Sequence, residues 1–312
     1  GKAKEIMPDI RLVDYPARIC ELNQKGRQDE AIAHCRHILS AHPRYYPAYK
    51  LMAEACLAKE MYPQARDLFQ RSLSADPEDP GAWLGLGRAC VGHRRLEKAI
   101  WALERTFELE PGHGEIRQEL EQLYGQRARQ RTGGPQEPGE GEQPRLTRGA
   151  LGRLYMRHGL YDKAIGELRA AVHHDASMPV THVALAEALW RAGQDQEATK
   201  ACLDVLKVLP NCLKANLILG TIWLRGGNPR PAQKRLDVAR VLDPENLVAQ
   251  KLMGTESPLP AAEVLFPVPE AREAAPGPRP AASGQGTTAG GKPTWVRELE
   301  ELEERATEPE SS

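Results

Sequence analysis

The chain has 312 residues, a net charge of -1, 27% charged residues and only 5% aromatics, a composition suited to helices packed through alanine and leucine. No apolar run is long enough to span a membrane and the N-terminal stretch lacks a signal-peptide core, which points to a cytoplasmic protein. Six cysteines without a Cys-x-x-Cys pair read as buried small hydrophobes in a reducing compartment. Of the nine histidines, the His34/His37 and His173-His174 pairs have no Glu or Asp at ligand spacing beside them. With no Gly-x-Ser-x-Gly, phosphate loop or dinucleotide fingerprint either, the expectation is no enzyme, no metal and no cofactor.

A proline returns at one constant interval at Pro43, Pro77 and Pro111, and the same interval separates Pro210 from Pro244. Ala31, Ala65, Ala99, Ala198 and Ala232 precede these turns by one constant offset, and Ala164 keeps that offset from Ala176 in the copy that lacks its proline. A fixed period of this length means stacked copies of one small unit that cannot bury its apolar face alone. In chain order the first copies are 12–45, 46–79 and 80–113. The third is the clearest. Trp83, Leu86, Gly87 and Cys90 fall on one stripe of a first helix, and Gly92-His93-Arg94-Arg95 makes the turn. Leu96, Ala99, Ile100, Leu103 and Phe107 form the stripe of a second helix that Pro111 stops. Gly87 and Ala99 are small where two helices cross closely.

Gly114 to Arg131 carries Ile116, Leu120, Leu123 and Tyr124 at helical spacing and reads as a solvating helix over the exposed end of the third copy. Residues 132–144, with four glycines and three prolines, read as a flexible or extended linker. The whole interruption, 114–144, falls just short of one repeat, as if a degenerate copy had lost its second helix. Copies 145–178, 179–212 and 213–246 follow, and Leu247 to Gly254 starts an end cap. Whether the two triplets stack continuously or hinge is left open by the sequence. Residues 255–294 hold eight prolines and eight alanines, too little apolar content to fold alone. Within them Val264-Leu265-Phe266-Pro267-Val268 is either incidental or a segment that docks in an extended form. The end of the chain differs: Trp295, Val296, Leu299 and Leu302 form a helical stripe opposite Glu298, Glu300, Glu301 and Glu304, with Thr294 as N-cap. Such a short helix is marginal in water and reads as a tail motif that orders against a partner. The domains expected are therefore 1–131, 132–144, 145–254 and 255–312. Met7 reads as a natural start.

The Trp, Leu-Gly, Ala, Phe and Pro spacing resembles the tetratricopeptide repeat, of bacterial type, over about two thirds of the chain. That resemblance implies an all-α fold, an α-α superhelix (solenoid), here of the six helix-turn-helix repeats in two triplets read above, with the composition after them giving a disordered C-terminal tail. It also implies that first helices line a concave groove. Exposed positions there would be Arg153, Arg157, Glu187, Trp190, Arg191, Lys214, Leu217, Thr221 and Arg225 in the second triplet, and Lys50, Glu54, Leu57, Arg88 and Val91 in the first. Arg157, Arg191 and Arg225 recur one repeat apart, a ladder of guanidinium groups suited to carboxylates. The lysine and asparagine clamp of chaperone-binding members is not built: Pro16, Cys20 and Gly85 stand in one triplet, Gly149, Arg153 and Ala184 in the other. Residues 145–254 hold 16 Lys/Arg against 10 Asp/Glu, whereas 255–312 hold 5 against 11. The function expected is a non-catalytic scaffold for a protein or peptide partner of acidic character, its own C-terminal tail included. The alternatives are self-regulation by that tail and a regulatory subunit for a separate catalytic chain. Scarce aromatics and the acidic tail disfavour nucleic acid.

Overall fold

The computed structural model describes residues 9–132, 143–175 and 178–267. The core of the linker and the Trp295, Leu299 and Leu302 motif lie outside the described residues. A short strand β1 (Asp9–Arg11) precedes three packed helix pairs: α1 (Tyr15–Gln24) with α2 (Gln28–Ala41), α3 (Tyr46–Ala58) with α4 (Tyr62–Ala75), and α5 (Pro80–Gly92) with α6 (Leu96–Leu109). Helix α7 (Gly114–Thr132) follows and packs on α6 through Ile116, Leu120, Leu123 and Tyr124, all buried. Three more pairs come next: α8 (Arg148–Arg157) with α9 (Tyr161–His174), α10 (Pro179–Arg191) with α11 (Asp195–Val208), and α12 (Leu213–Arg225) with α13 (Pro229–Leu242). Helix α14 (Leu247–Met253) and strand β2 (Leu265–Pro267) complete the described chain. The chain is an α-helical solenoid of paired helices. Among the described residues no helix is long and apolar enough to cross a membrane.

The repeat is visible in its local physics. The first helix of every pair ends on a residue with positive φ at the same repeat position: Gly26, Gly159, Gly193 and Gly227 in four pairs, Glu60 (57°) and Arg94 (56°) in the other two. A left-handed residue at that point lets the chain reverse into the second helix. Three of the turns between pairs are tied to the next first helix: Tyr49 Oη donates to the Pro43 carbonyl at 2.6 Å, Trp83 Nε1 to that of Pro77 at 2.8 Å, and Asn216 Nδ2 to that of Pro210 at 3.0 Å. The small crossing residues are needed where the sequence puts them. A Cβ on Gly87 would lie 2.8 Å from Leu103, one on Gly152 2.6 Å from Leu168, and one on Gly220 2.8 Å from Leu236.

The two triplets do not form one continuous stack. Each has its own core, and each lends residues to the other: Val180 packs into the first, Ala75 and Tyr46 into the second. The chain then folds back on its own beginning. After α14, Leu259 is buried in the second core, and Asn246 Nδ2 and Gln250 Nε2 donate to the Pro260 and Leu259 carbonyls at 2.7 and 2.6 Å. Strand β2 then pairs antiparallel with β1, Ile10 opposite Phe266. Phe266 is buried among Tyr15, His37 and His42, and the Pro267 carbonyl lies 2.9 Å from His37 Nε2. Of the two readings of the Val264–Val268 island, the described part docks in an extended form.

Candidate functional site

The strongest concentration of charge lies where the second triplet faces the first. The turn between α4 and α5 brings Asp76, Glu78 and Pro80 against first-helix residues of α8, α10 and α12. Pro80 starts α5 and Asp79 caps it, accepting from Ala82 N at 3.1 Å. Glu78 is thereby held at a fixed place over the second triplet. Lys214 donates to Glu78 at 2.5 Å and to Glu187 at 2.7 Å. Arg153 donates to Glu108 of α6 at 2.8 Å and to the Val180 carbonyl at 2.8 Å, with Glu78 3.5 Å from its Nε.

Burial by itself would raise the Glu78 carboxyl and lower the Lys214 ammonium, but the pairing wins on both sides. Lys214 and Arg153 hold Glu78 below the usual carboxylate range, and Glu78 with Glu187 holds Lys214 above the usual lysine range. Asp76 goes the other way. Burial, helped by the Glu78 charge, pushes it up to about 6.

The arginine ladder stands beside this cluster. Arg157 donates to the Leu109 carbonyl at the end of α6 at 3.0 Å, and Arg191 to the Leu252 carbonyl of α14 at 2.7 Å. Arg225 meets Glu256 at 2.5 Å. Arg191 also covers the Trp190 ring at 4.9 Å and lies 3.6 Å from Glu187. A guanidinium has five N–H donors, so one such bond leaves it able to hold another acceptor. Arg157, Arg191, Lys251 and the Glu78–Lys214 pair line a cleft of about 720 Å³ between the triplets. A second space of about 420 Å³ shares Arg191, Lys214 and Lys251 and adds Tyr46 and Val248.

Several residues expected to be exposed in the groove are not. Arg153, Trp190, Lys214, Leu217 and Thr221 are mostly or wholly covered. For Arg153 and Lys214 the reason is that the first triplet's own turns occupy part of the second triplet's inner face. For Leu217 and Thr221 it is packing within the last pairs, Thr221 Oγ1 donating back to the Leu217 carbonyl at 2.8 Å. In the first triplet Lys50 pairs with Asp79 at 2.8 Å and Arg88 with Glu119 at 2.6 Å. Glu54 is half-buried and its carboxyl raised by burial, Leu57 is half-buried, and Val91 is exposed. Sequence reasoning did not foresee Glu78, Glu108 and Lys251. Glu78 sits in an inter-repeat turn, where an acidic residue gives no periodic signal.

Tetratricopeptide-repeat family models match residues 57–123 and 150–207. No curated protein matches the sequence. Among solved structures, the chain is similar to the first TPR domain of human RPAP3 at 21% identity, over 38% of this chain and 95% of that one, with a TM-score of 0.36. It is similar to the TPR2AB domain of yeast Sti1, solved in a pHSP90 complex, at 18% identity over 77% and 95%, with a TM-score of 0.35. YrrB, a TPR protein with an unusual peptide-binding site, is 16% identical over 70% and 96%, with a TM-score of 0.31. Six copies in one register, each a helix pair reversing at the same position, together with two separate family matches, make this chain a tetratricopeptide repeat protein.

Proposed function

We propose that the protein is a non-catalytic scaffold, and that the cleft between its triplets binds an acidic, extended segment of a protein partner. The observation that carries this reading is Arg157 and Arg191, one repeat apart on the rim of a cleft of about 720 Å³ that also holds Lys251. Each is tied by one bond to a backbone carbonyl, which fixes its position and leaves donors for a carboxylate. Arg153 and Lys214 form the floor rather than the contact, because Glu108, Glu78 and Glu187 already engage them. A cytoplasmic setting fits the same reading.

Fluorescence anisotropy of labelled Glu-rich and Lys-rich peptides on the full chain tests it. Binding of the acidic peptide should weaken with salt and fall at least tenfold in Arg157→Glu and Arg191→Glu. Equal binding of both peptides, or indifference to these substitutions, refutes the cleft as the site.

A further inference from the structure

In every other interior repeat the first helix rests on the second helix of the repeat before it: α3 on α2, α5 on α4, α10 on α9, α12 on α11. Helix α8 has no such neighbour among the described residues, because the interruption supplies only α7, which packs on α6. Its contacts with α6 run through Arg153 and Arg157, on a different side of the helix. The face left open is apolar. Leu154 is 42% exposed, whereas its repeat equivalents Ala55, Ala89 and Ala188 are fully buried and Ile222 is 8% exposed. Leu151 is half-buried where Met52, Leu86, Leu185 and Leu219 are buried, and Leu146 beside it is exposed.

The true first repeat shows what an uncovered end looks like. At the positions of Leu151 and Leu154 it carries Arg18 and Glu21, both exposed and charged. The fourth repeat has leucines there instead, so its sequence is that of a covered repeat. The linker cannot cover it, since proline is the largest apolar side chain in 132–144.

We propose that the C-terminal segment Trp295–Ala306 docks on this face within the same chain and takes the place of the missing second helix. Three observations select it. Trp295, Leu299, Leu302 and Ala306 repeat at i, i+4, i+7 and i+11, the spacing of the apolar stripe Leu96, Ile100, Leu103 and Phe107 on the second helix α6. Charge is complementary: Glu303, beside the stripe, would approach Arg145 and Arg148, both exposed, Arg148 with a 3.4 Å contact to Glu167 and its side chain at 64%. Length permits it. The chain leaves the described structure at Pro267 beside the first repeat, and residues 268–294 can extend to roughly 90 Å. Three helix pairs at 8–10 Å between axes stack to no more than about 60 Å. Tethering gives an effective concentration on the order of millimolar, so a contact of about 100 µM intrinsic affinity is roughly nine-tenths formed. The site is distinct from the cleft, and either can fail without the other.

The test places p-benzoyl-phenylalanine at position 302 of the full chain, mixed with isotope-labelled chains so that crosslinks within and between molecules are told apart. Intrachain crosslinks to 145–158 are expected, falling at least fivefold in Leu154→Glu, a substitution at an exposed site. Separately, Trp295→Ser with Leu299→Ser, changes outside the described repeats, should speed amide exchange over 148–157 about tenfold. Crosslinks to Arg191 or Lys251 in the cleft, crosslinks only between chains, or unchanged exchange in α8 would each overturn the proposal.

Discussion

Replacing Lys214 by methionine removes one charge from the cluster that joins the two triplets and keeps most of the side chain's length. What remains is Glu78 and Glu187 facing each other across 2.5–2.7 Å contacts that have lost their cation, with only Arg153 left beside Glu78. Breaking one partner of a buried pair costs about 3–5 kcal/mol. Side-chain exposures of 25% for Lys214 and 14% for Glu78 and Glu187 place this cluster at the lower end, about 3 kcal/mol. The loss should depend on pH, and its sign follows from the pairing. In the native protein Glu78 is held low, so its contribution is full above the ordinary carboxylate range near 4.3 and fades as pH falls through its own lower value. Without Lys214, burial acts on the Glu78 carboxyl with less opposition and pushes it up, a penalty that appears only as pH rises through it. The gap between native and variant should therefore be widest near pH 7 and narrow below about 5. Urea unfolding of both proteins at several pH values measures it. A deficit under about 0.5 kcal/mol, or one that does not change between pH 7 and 5, would refute the cluster as a joint between triplets.

Glu60→Gly and Arg94→Gly should each raise stability by about 0.5–1 kcal/mol in urea unfolding, because both residues hold a positive φ that glycine adopts freely. Gly220→Leu should overpack against Leu236 and cost roughly 1–3 kcal/mol, with faster amide exchange spreading across 179–254 rather than staying in one pair. Phe266→Ala should release the strap and speed exchange over Asp9–Arg11 at least tenfold. The wild-type strap should loosen in the same assay as pH falls. Burial lowers His42, which packs on Phe266, so its contribution is full above about 6.5 and is lost as pH falls through its folded value.

The helix pairs were legible because periodicity is local: Trp83, Leu86, Gly87 and Ala99 each report on a neighbour within one repeat. The interhelical glycines were legible for the same reason, since Gly87, Gly152 and Gly220 each meet a leucine of the second helix in their own pair, always at the same offset. What the sequence could not show was how the triplets meet. That depends on single residues, Glu78, Glu108, Arg153 and Lys214, whose partners lie 27 to 136 positions away and follow no period. The arginine ladder was visible, but not that Leu109 and Leu252 carbonyls would anchor two of its rungs.

The way the triplets meet also decides what kind of ligand each surface can take. Glu78 and Pro80 of the first triplet already stand over the second triplet's inner face. A helix laid along that inner face would have to displace the turn, and with it the Lys214 and Arg153 contacts. The extended acidic segment proposed above needs no such opening: its carboxylates would meet Arg157 and Arg191 at the rim while the floor stays paired. The open face of α8 has the reverse character. Leu151 and Leu154 lie one helical turn apart on a surface that elsewhere in the chain accepts a helix, and only a helix presents apolar side chains at matching intervals. Under the two proposals, extended acidic ligands therefore belong to the cleft and helical ones to α8. A variant that opens the cleft, such as Lys214→Met, should blur that division by letting helical peptides compete for the arginines.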